Sequence, residues 1–183
     1  MKMNSFLGQK NLSRGVRNNN PGNLKITKDL WVGKIPLSLN TDGGMEQFKE
    51  VKFGIRAMFI DILGDIRKGK NTLRKLISEY APPFENNTIA YINVVSKKLN
   101  ISPDKVIKDV DYLFLHQLGR AIIDHENGKD GKLITDSHIL DAIDILDRKE
   151  VNGVVIKAKK PFNPSILVIP VILFFYTVLT VAL

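Results

Sequence analysis

Residues 14–25 read RGVRNNNPGNLK, and this stretch, called here the signature segment, is the best starting point for the whole chain. Proline fixes its own φ, and asparagine and glycine tolerate left-handed backbone angles, so the segment predicts a shaped loop rather than a core helix or central strand. Two interpretations of its asparagines stay open. Their amides can satisfy the backbone of the loop itself, or they can face a ligand that carries hydroxyl, acetamide or carboxylate groups.

The residues that follow predict a mainly α fold. Residues 27–47 are interpreted as a loop, or as a small hairpin closed at Asp42-Gly43. From Val51 to Lys68 the apolar residues recur at steps of three and four, which predicts an amphipathic helix (Ile55, Met58, Phe59, Ile62, Leu63, Ile66). A short helix is predicted after Asn71 or Thr72, and Pro82-Pro83 ends it.

Four further helical segments are predicted before residue 150. Asn87 caps one whose inward face would be Ile89, Ile92, Val95 and Leu99. Ser102-Pro103-Asp104 has the residue types of a helix start, and another helix runs from about Asp111 to the sequence HENG at residues 125–128. Asp136 or Ser137 caps the last one, after a loop at residues 129–134.

Four sequence blocks carry a family resemblance. The run RGVRNNNPGN is followed by Trp31, then by Phe48 with GIRA at residues 54–57, then by YAPPFENNTIAY at residues 80–91, and then by HENG. In this order the blocks resemble those of phage and prophage peptidoglycan-degrading proteins with a lysozyme-like fold. The resemblance covers roughly residues 14–128, and it implies a lysozyme-like helical domain that acts on the bacterial cell wall.

Cleavage of a glycosidic bond needs a group that protonates a poor leaving-group oxygen, and a carboxyl group in a partly apolar site can do this. Glu126 ends an apolar helix just before Asn127-Gly128 turns the chain. The resemblance therefore suggests Glu126 as the catalytic acid, with Glu85 as the alternative. The expected substrate-binding residues are Arg17, Asn18, Asn20, Asn23, Tyr91 and Asn127. Glu46 and Glu50 are expected to be solvated.

The bond that is cut stays open among several alternatives. A mechanism in which the sugar's own hydroxyl attacks needs only one acid, and no second carboxylate can be assigned from spacing, so a lytic transglycosylase is favoured. A muramidase or glucosaminidase, a peptidoglycan endopeptidase and a non-catalytic virion protein are the alternatives. The three histidines have no metal-ligand spacing, and no phosphate-binding glycine motif is present, so neither a metal nor a cofactor is expected.

The C-terminal end predicts a membrane anchor. Residues 165–183 read SILVIPVILFFYTVLTVAL, and such a helix would be roughly 28 Å long, the thickness of a hydrocarbon core. The predicted organisation is an N-terminal arm (1–13), a catalytic domain (14–152), a linker (153–164) and this anchor.

Lysines that precede the span, and no charged side chain after it, predict that the domain stays on the cytoplasmic side of a host inner membrane or of the internal membrane of a phage particle. No secretory signal is expected at residues 1–8. The formal net charge of +8 suits an anionic partner. The expected partners are peptidoglycan, the lipid membrane and other virion or capsid proteins, without specific nucleic-acid binding.

Overall fold

The computed structural model describes residues 3–84, 87–146 and 156–157. In this part of the chain the helices are α1 (Arg14–Arg17), α2 (Val51–Arg67), α3 (Leu73–Tyr80), α4 (Thr88–Leu99), α5 (Tyr112–Asn127) and α6 (Asp136–Asp144). Short 3-10 helices cover Leu37–Leu39 and Gly128–Leu133. The strands β1 (Val110–Asp111) and β2 (Ile156–Lys157) pair in parallel, with Val110 opposite Ile156. The prediction of a mainly α fold is confirmed.

The core forms where the apolar stripes of the helices meet. α5 packs against α4 and α6, α2 packs against α6, and α3 packs against α4. The largest wholly buried side chains come from these stripes (Ile55, Met58, Phe59, Leu63, Leu73, Ile77, Tyr91, Leu115, Leu118, Ile122, Ile123). Burying one such aliphatic or aromatic side chain contributes about 1.5–3 kcal/mol, so the amphipathic pattern stabilises this packing.

Side-chain caps begin three of the helices. The Thr72 hydroxyl accepts from the Lys75 N–H, the Asn87 amide oxygen accepts from the Ala90 N–H, and the Asp111 carboxylate accepts from the Phe114 N–H. Each cap of this kind contributes about 1 kcal/mol. The predicted caps of α3 and α4 are confirmed, whereas α6 is capped by Thr135, one residue earlier than expected.

Two helix predictions are wrong. Ser102-Pro103-Asp104 forms a turn and begins no helix, because α3 holds it: the Arg74 N–H donates to the Pro103 carbonyl and the Arg74 guanidinium pairs with Asp104 at 2.7 Å. Ile89 was expected to face inward, but 70% of it is exposed. Tyr91 takes an inward position on α4 instead, since its ring stacks on His125 of α5.

The loop at residues 27–47 contains isolated antiparallel bridges, Lys25 with Met45 and Lys34 with Phe48, rather than a regular hairpin. Glu46 is wholly buried in it. Its carboxylate pairs with the Lys34 ammonium at 2.6 Å and accepts from the Thr27 N–H at 2.9 Å. The prediction that Glu46 is solvated is therefore wrong, because a buried lysine partner lowers the cost of taking the carboxylate out of water.

The N-terminal residues pack onto the domain. Phe6 lies in the core, and the Asn4 carbonyl accepts the first N–H of α2, that of Val51, at 3.0 Å. Among the described residues, no helix is long and apolar enough to cross a membrane. The predicted span at residues 165–183 lies outside them, and so does Glu85.

Candidate active site

The signature segment begins with α1 and then turns back on itself, with Asn19 and Asn23 both at φ +52°. The asparagines at 18–20 are buried, and their amides hold neighbouring groups; Asn18 contacts the side chains of Asp42 and Gln47. Asn19 accepts from the Phe6 N–H at 2.7 Å and donates to the Phe48 carbonyl at 2.9 Å. Asn20 donates to the carbonyls of Leu24 and Glu46. These asparagines therefore support the loop, which is one of the two interpretations left open by the sequence.

Glycines let this segment approach its neighbours at backbone distance. A side chain at Gly54 on α2 would collide with the Asn19 carbonyl, and a side chain at Gly15 would collide with the Asn127 amide. Asn127 closes the other side: it donates to the Pro21 carbonyl at 2.8 Å and accepts from the Ser13 hydroxyl at 2.9 Å. The signature segment is thus fixed between the start of α2 and the end of α5.

This packing brings Asn23 to Glu126. The Asn23 amide nitrogen donates to Glu126 Oε2 at 2.9 Å, across 103 residues of sequence. Glu126 lies in the last turn of α5 and is half-buried. Because the amide is a hydrogen-bond donor to the carboxylate, it sets the orientation of Glu126 without neutralising its charge.

Glu126 lines an open cleft of about 460 Å³. The walls come from the signature segment, α2, α3 and the residues that follow α3, and they include Asn23, Asp61, Tyr80 and the exposed ring of Phe84. Four carboxylates line the cleft (Asp61, Asp65, Glu79, Glu126). A polar cleft of this size with an exposed aromatic ring suits a polar, ring-shaped ligand such as a sugar.

Two of these carboxylates, Asp65 and Glu79, pair with lysines, and Lys68 lies 3.6 Å from Asp65. Lys70 pairs with Asp65 at 3.2 Å and with Glu79 at 2.6 Å. Asp61 makes no hydrogen bond or ion pair within the part of the chain that the structure describes. Burial, and then the nearby charge of Asp65, raise its pKa. Asp61 and Glu126 are thus the carboxylates of the cleft that carry no cationic partner among the described residues.

Both Asp61 and Glu126 influence the phenol of Tyr80 electrostatically. Its hydroxyl donates to the Gly22 carbonyl of the signature segment. Burial, and then the charges of Glu126 and Asp61, raise the pKa of Tyr80, so both carboxylates are near the same phenol. Tyr80 therefore stays neutral, and its hydroxyl holds the signature segment at Gly22.

Tyr91 supports α5 from beneath Glu126. Its ring stacks on His125, with centroids 3.6 Å apart and planes 19° apart. The Tyr91 hydroxyl is buried and makes no hydrogen bond of good geometry among the described residues, although Glu126 is close enough to add to the rise in its pKa that burial causes. The stacking makes His125 a packing partner of Tyr91.

The structure separates the predicted substrate-binding residues. Asn23 lines the cleft with Glu126, whereas Asn20, Tyr91 and Asn127 are buried in the domain. Arg17 and Asn18 line a neighbouring cavity. Neither Arg17 nor Asn18 lines the cleft at Glu126, and the Asn18 amide is held by Asp42 and Gln47 in the wall of the neighbouring cavity.

The sequence argument missed Asp61 and Tyr80. The signal for Asp61 was its place in α2, one helical turn before Asp65, which puts two carboxylates on one face. Tyr80 was named only as part of the sequence block at residues 80–91, without a role in the site. Among the described residues no cluster of histidine and acidic side chains could hold a metal ion.

The chain is similar to one phage protein of known sequence. No family model matches it. Protein P5 of Pseudoalteromonas phage PM2 is 37% identical to it over 120 residues, which cover 63% of this chain and 72% of Protein P5. This similarity gives the chain a bacteriophage context. At this identity and coverage, the chain belongs to the family of Protein P5 of Pseudoalteromonas phage PM2.

Proposed function

We propose that the chain is a peptidoglycan-degrading enzyme of a phage particle, which cleaves glycan strands in the manner of a lytic transglycosylase. The observation that carries this proposal is the hydrogen bond at 2.9 Å between Asn23 and Glu126 in an open cleft. It joins the first and the last of the four sequence blocks. A carboxyl group at the rim of a sugar-sized cleft, oriented by an amide, has the chemistry that glycosidic cleavage needs.

Glu126 is the acid in this proposal. It donates its proton to the glycosidic oxygen while the bond from that oxygen to the anomeric carbon breaks. The C6 hydroxyl of the same sugar then attacks the anomeric carbon, and the Glu126 carboxylate takes the proton that this hydroxyl loses. The products are a shortened strand and a 1,6-anhydro sugar. Asn23 acts as a positioning residue, because its amide holds one oxygen of Glu126.

Hydrolysis of the glycosidic bond is the second candidate function, because Asp61 supplies a second carboxylate in the cleft. In a hydrolase a second carboxylate activates water or attacks the sugar. Asp61 lines the same cleft as Glu126 and has no cationic partner among the described residues. A raised pKa keeps a carboxyl group protonated to higher pH, so Asp61 is also suited to share the role of acid.

The fold and location extend the same proposal. The proposed domain is lysozyme-like, and the apolar residues 165–183 anchor it in the internal membrane of the virion or in the host inner membrane. The similarity to a phage protein supports the bacteriophage context of this proposal. Lysines ahead of the span favour a domain on the cytoplasmic side, which in a particle lies beside the capsid or within the vesicle and meets the wall on infection.

Digestion of purified peptidoglycan by the full-length protein in detergent tests the activity. Mass spectrometry of the products distinguishes the candidates. Anhydro-sugar ends support the transglycosylase, and new reducing ends support hydrolysis. Released peptides without glycan cleavage identify an endopeptidase and overturn the proposal. Intact peptidoglycan after digestion by a well-folded protein would identify a non-catalytic virion protein.

Removal of residues 161–183 tests the anchor. The shortened protein should stay folded and remain in solution without detergent, because the described domain has its own core. Solubility in detergent-free buffer and thermal melting are the measurements. A shortened protein that aggregates or loses its cooperative melting contradicts the membrane interpretation.

A further inference from the structure

A second cavity, of about 680 Å³, lies beside the cleft. The two are neighbours because they share two segments of chain. Arg14, Arg17 and Asn18 of the signature segment line the cavity, whereas residues 22–25 line the cleft. Residues 41, 42 and 47 also line the cavity, and Met45 between them lines the cleft. A branched ligand could therefore reach both.

The charge of this cavity is positive. Lys10, Arg14 and Arg17 line it together with one acid, Asp42. Arg14 is neutralised, since its guanidinium donates to the Asp42 carboxylate through Nε and Nη2 at 2.5–3.1 Å. Arg17 donates only to the Leu12 carbonyl, and neither it nor Lys10 pairs with an acid in the described part of the chain. Two cations are left to face the cavity.

The wall behind these cations is rigid. Asn18 and Gln47 are buried, and the Gln47 amide donates to Asn18 Oδ1 at 2.9 Å. Asn18 in turn donates to Asp42 at 2.8 Å. The Arg14 guanidinium beside Asp42 holds the pKa of that carboxyl well below its usual range, so the wall keeps its charge across the ordinary pH range.

We propose that this cavity binds the carboxylates of the peptides that branch from the glycan strand, with Lys10 and Arg17 as the cationic contacts. This inference rests on the proposed function for the identity of the peptide. Two cations without acidic partners, next to a fixed polar wall, are suited to a carboxylate. The shared segments place the cavity where a side branch of a strand in the cleft can enter it. The cavity thus selects peptide-bearing glycan over bare glycan.

Binding of three probes to the full-length protein in detergent tests the inference. The probes are a disaccharide-tetrapeptide from peptidoglycan, the free tetrapeptide and the uncharged tetramer of N-acetylglucosamine. The double variant Lys10→Gln/Arg17→Gln should bind both peptide probes about ten-fold more weakly, since each lost charge pair with a carboxylate is exposed to solvent and contributes only a few-fold to affinity. Its affinity for the uncharged tetramer should not change.

Lys97→Gln is the matched control, because Lys97 is an exposed lysine at the far end of α4 and should leave the affinity for every probe unchanged. Unchanged peptide affinity in a double variant that melts like the wild type would overturn the inference. A site for phosphate instead, seen as competition by inorganic phosphate without peptide binding, would overturn it as well. The proposed function fails separately, when the wild type neither binds the tetramer nor cleaves glycan while the free tetrapeptide still binds.

Discussion

Two parts of the signature segment both carry asparagine, but their asparagines have different structural roles. Asn18, Asn19 and Asn20 are buried, and their amides hold the loop to the residues around Phe48. Asn23 follows three residues later, has the same positive φ as Asn19, and points its amide at Glu126. The same residue type in the same loop thus gives a scaffold at one end and a cleft wall at the other.

The difference comes from the helices that pack against each part of the segment. In the first part, Asn19 and Asn20 pass over Gly54 of α2 at backbone contact, which leaves no room for a ligand between them and α2. The second part runs along the open edge formed by α3 and the end of α5, where the 460 Å³ cleft lies. Depth in the fold, rather than residue type, decides which asparagine supports and which one can bind.

The largest expected effect is at the acid itself. Glu126→Gln keeps the hydrogen bonding capacity of the site but removes the proton donor, so the rate of peptidoglycan cleavage should fall by about 10²–10⁴. Folding should be nearly unaffected, because Glu126 is half-buried and has no ion pair among the described residues. Product release from labelled peptidoglycan and thermal melting measure the two effects. Full activity in the folded variant would show that Glu126 is not the acid, and Asp61 and Glu85 would then be the candidates.

The next effect is on stability and belongs to the buried part of the segment. Asn19→Gly keeps the positive φ but removes the partners of the Phe6 N–H and the Phe48 carbonyl, both buried. Unsatisfied buried groups cost about 1–3 kcal/mol each, so the free energy of unfolding should fall by about 2–6 kcal/mol. Denaturant unfolding measures it. A fall no larger than the one in Asn23→Gly contradicts the division drawn above.

Asn23→Gly is the matched variant for the other part. It also keeps the positive φ, and it removes the donor to Glu126. The free energy of unfolding should fall by no more than about 1 kcal/mol, because the main effect of glycine is to raise the conformational entropy of the unfolded chain. The cleavage rate should fall about ten-fold, the effect of losing roughly 1.4 kcal/mol of positioning. Glycan digestion checks the rate, and an unchanged rate would show that Asn23 does not position the acid.

Much of the fold follows from local pattern. The stripes of α2 and α5 and the caps at Thr72 and Asn87 are predictable, because periodicity and capping depend on nearby residues. The turn at Ser102-Pro103-Asp104 was not predictable in this way. Its residues favour a helix start, but Arg74 from another helix holds it, and a single sequence does not show such a contact.

The site was predictable only in part, for the same reason. Glu126 and Asn23 could be named from the sequence blocks, but their contact spans 103 residues. Asp61 was hidden, because it lies beside the apolar stripe of α2, and only the packing of α3 turns its side of the helix into a cleft. Glu46 was misjudged since its partner, Lys34, comes from across the loop.

The smallest expected effect is at Asp61, and it concerns pH. Burial raises the pKa of Asp61, so the folded protein holds this proton more tightly than the unfolded chain does. The free energy of unfolding therefore declines as the pH rises from the ordinary carboxyl range through the raised pKa. Asp61→Asn cannot ionise, so this part of the decline should disappear, and the variant should be slightly more stable than the wild type at neutral pH.

Denaturant unfolding across pH 3–8 measures the stability difference, and an unchanged pH slope in Asp61→Asn would contradict it. Glu50→Gln is the control, at a partly exposed carboxylate outside the cleft that pairs with Lys52. The same variant separates the two glycan-cleaving mechanisms. Transglycosylation uses Glu126 alone, so Asp61→Asn should keep most of the anhydro-sugar production. Hydrolysis needs a second carboxylate, so loss of activity in the folded variant would make Asp61 part of the catalytic pair. The cleft would then contain two catalytic carboxyl groups, Glu126 held by the signature segment and Asp61 on α2.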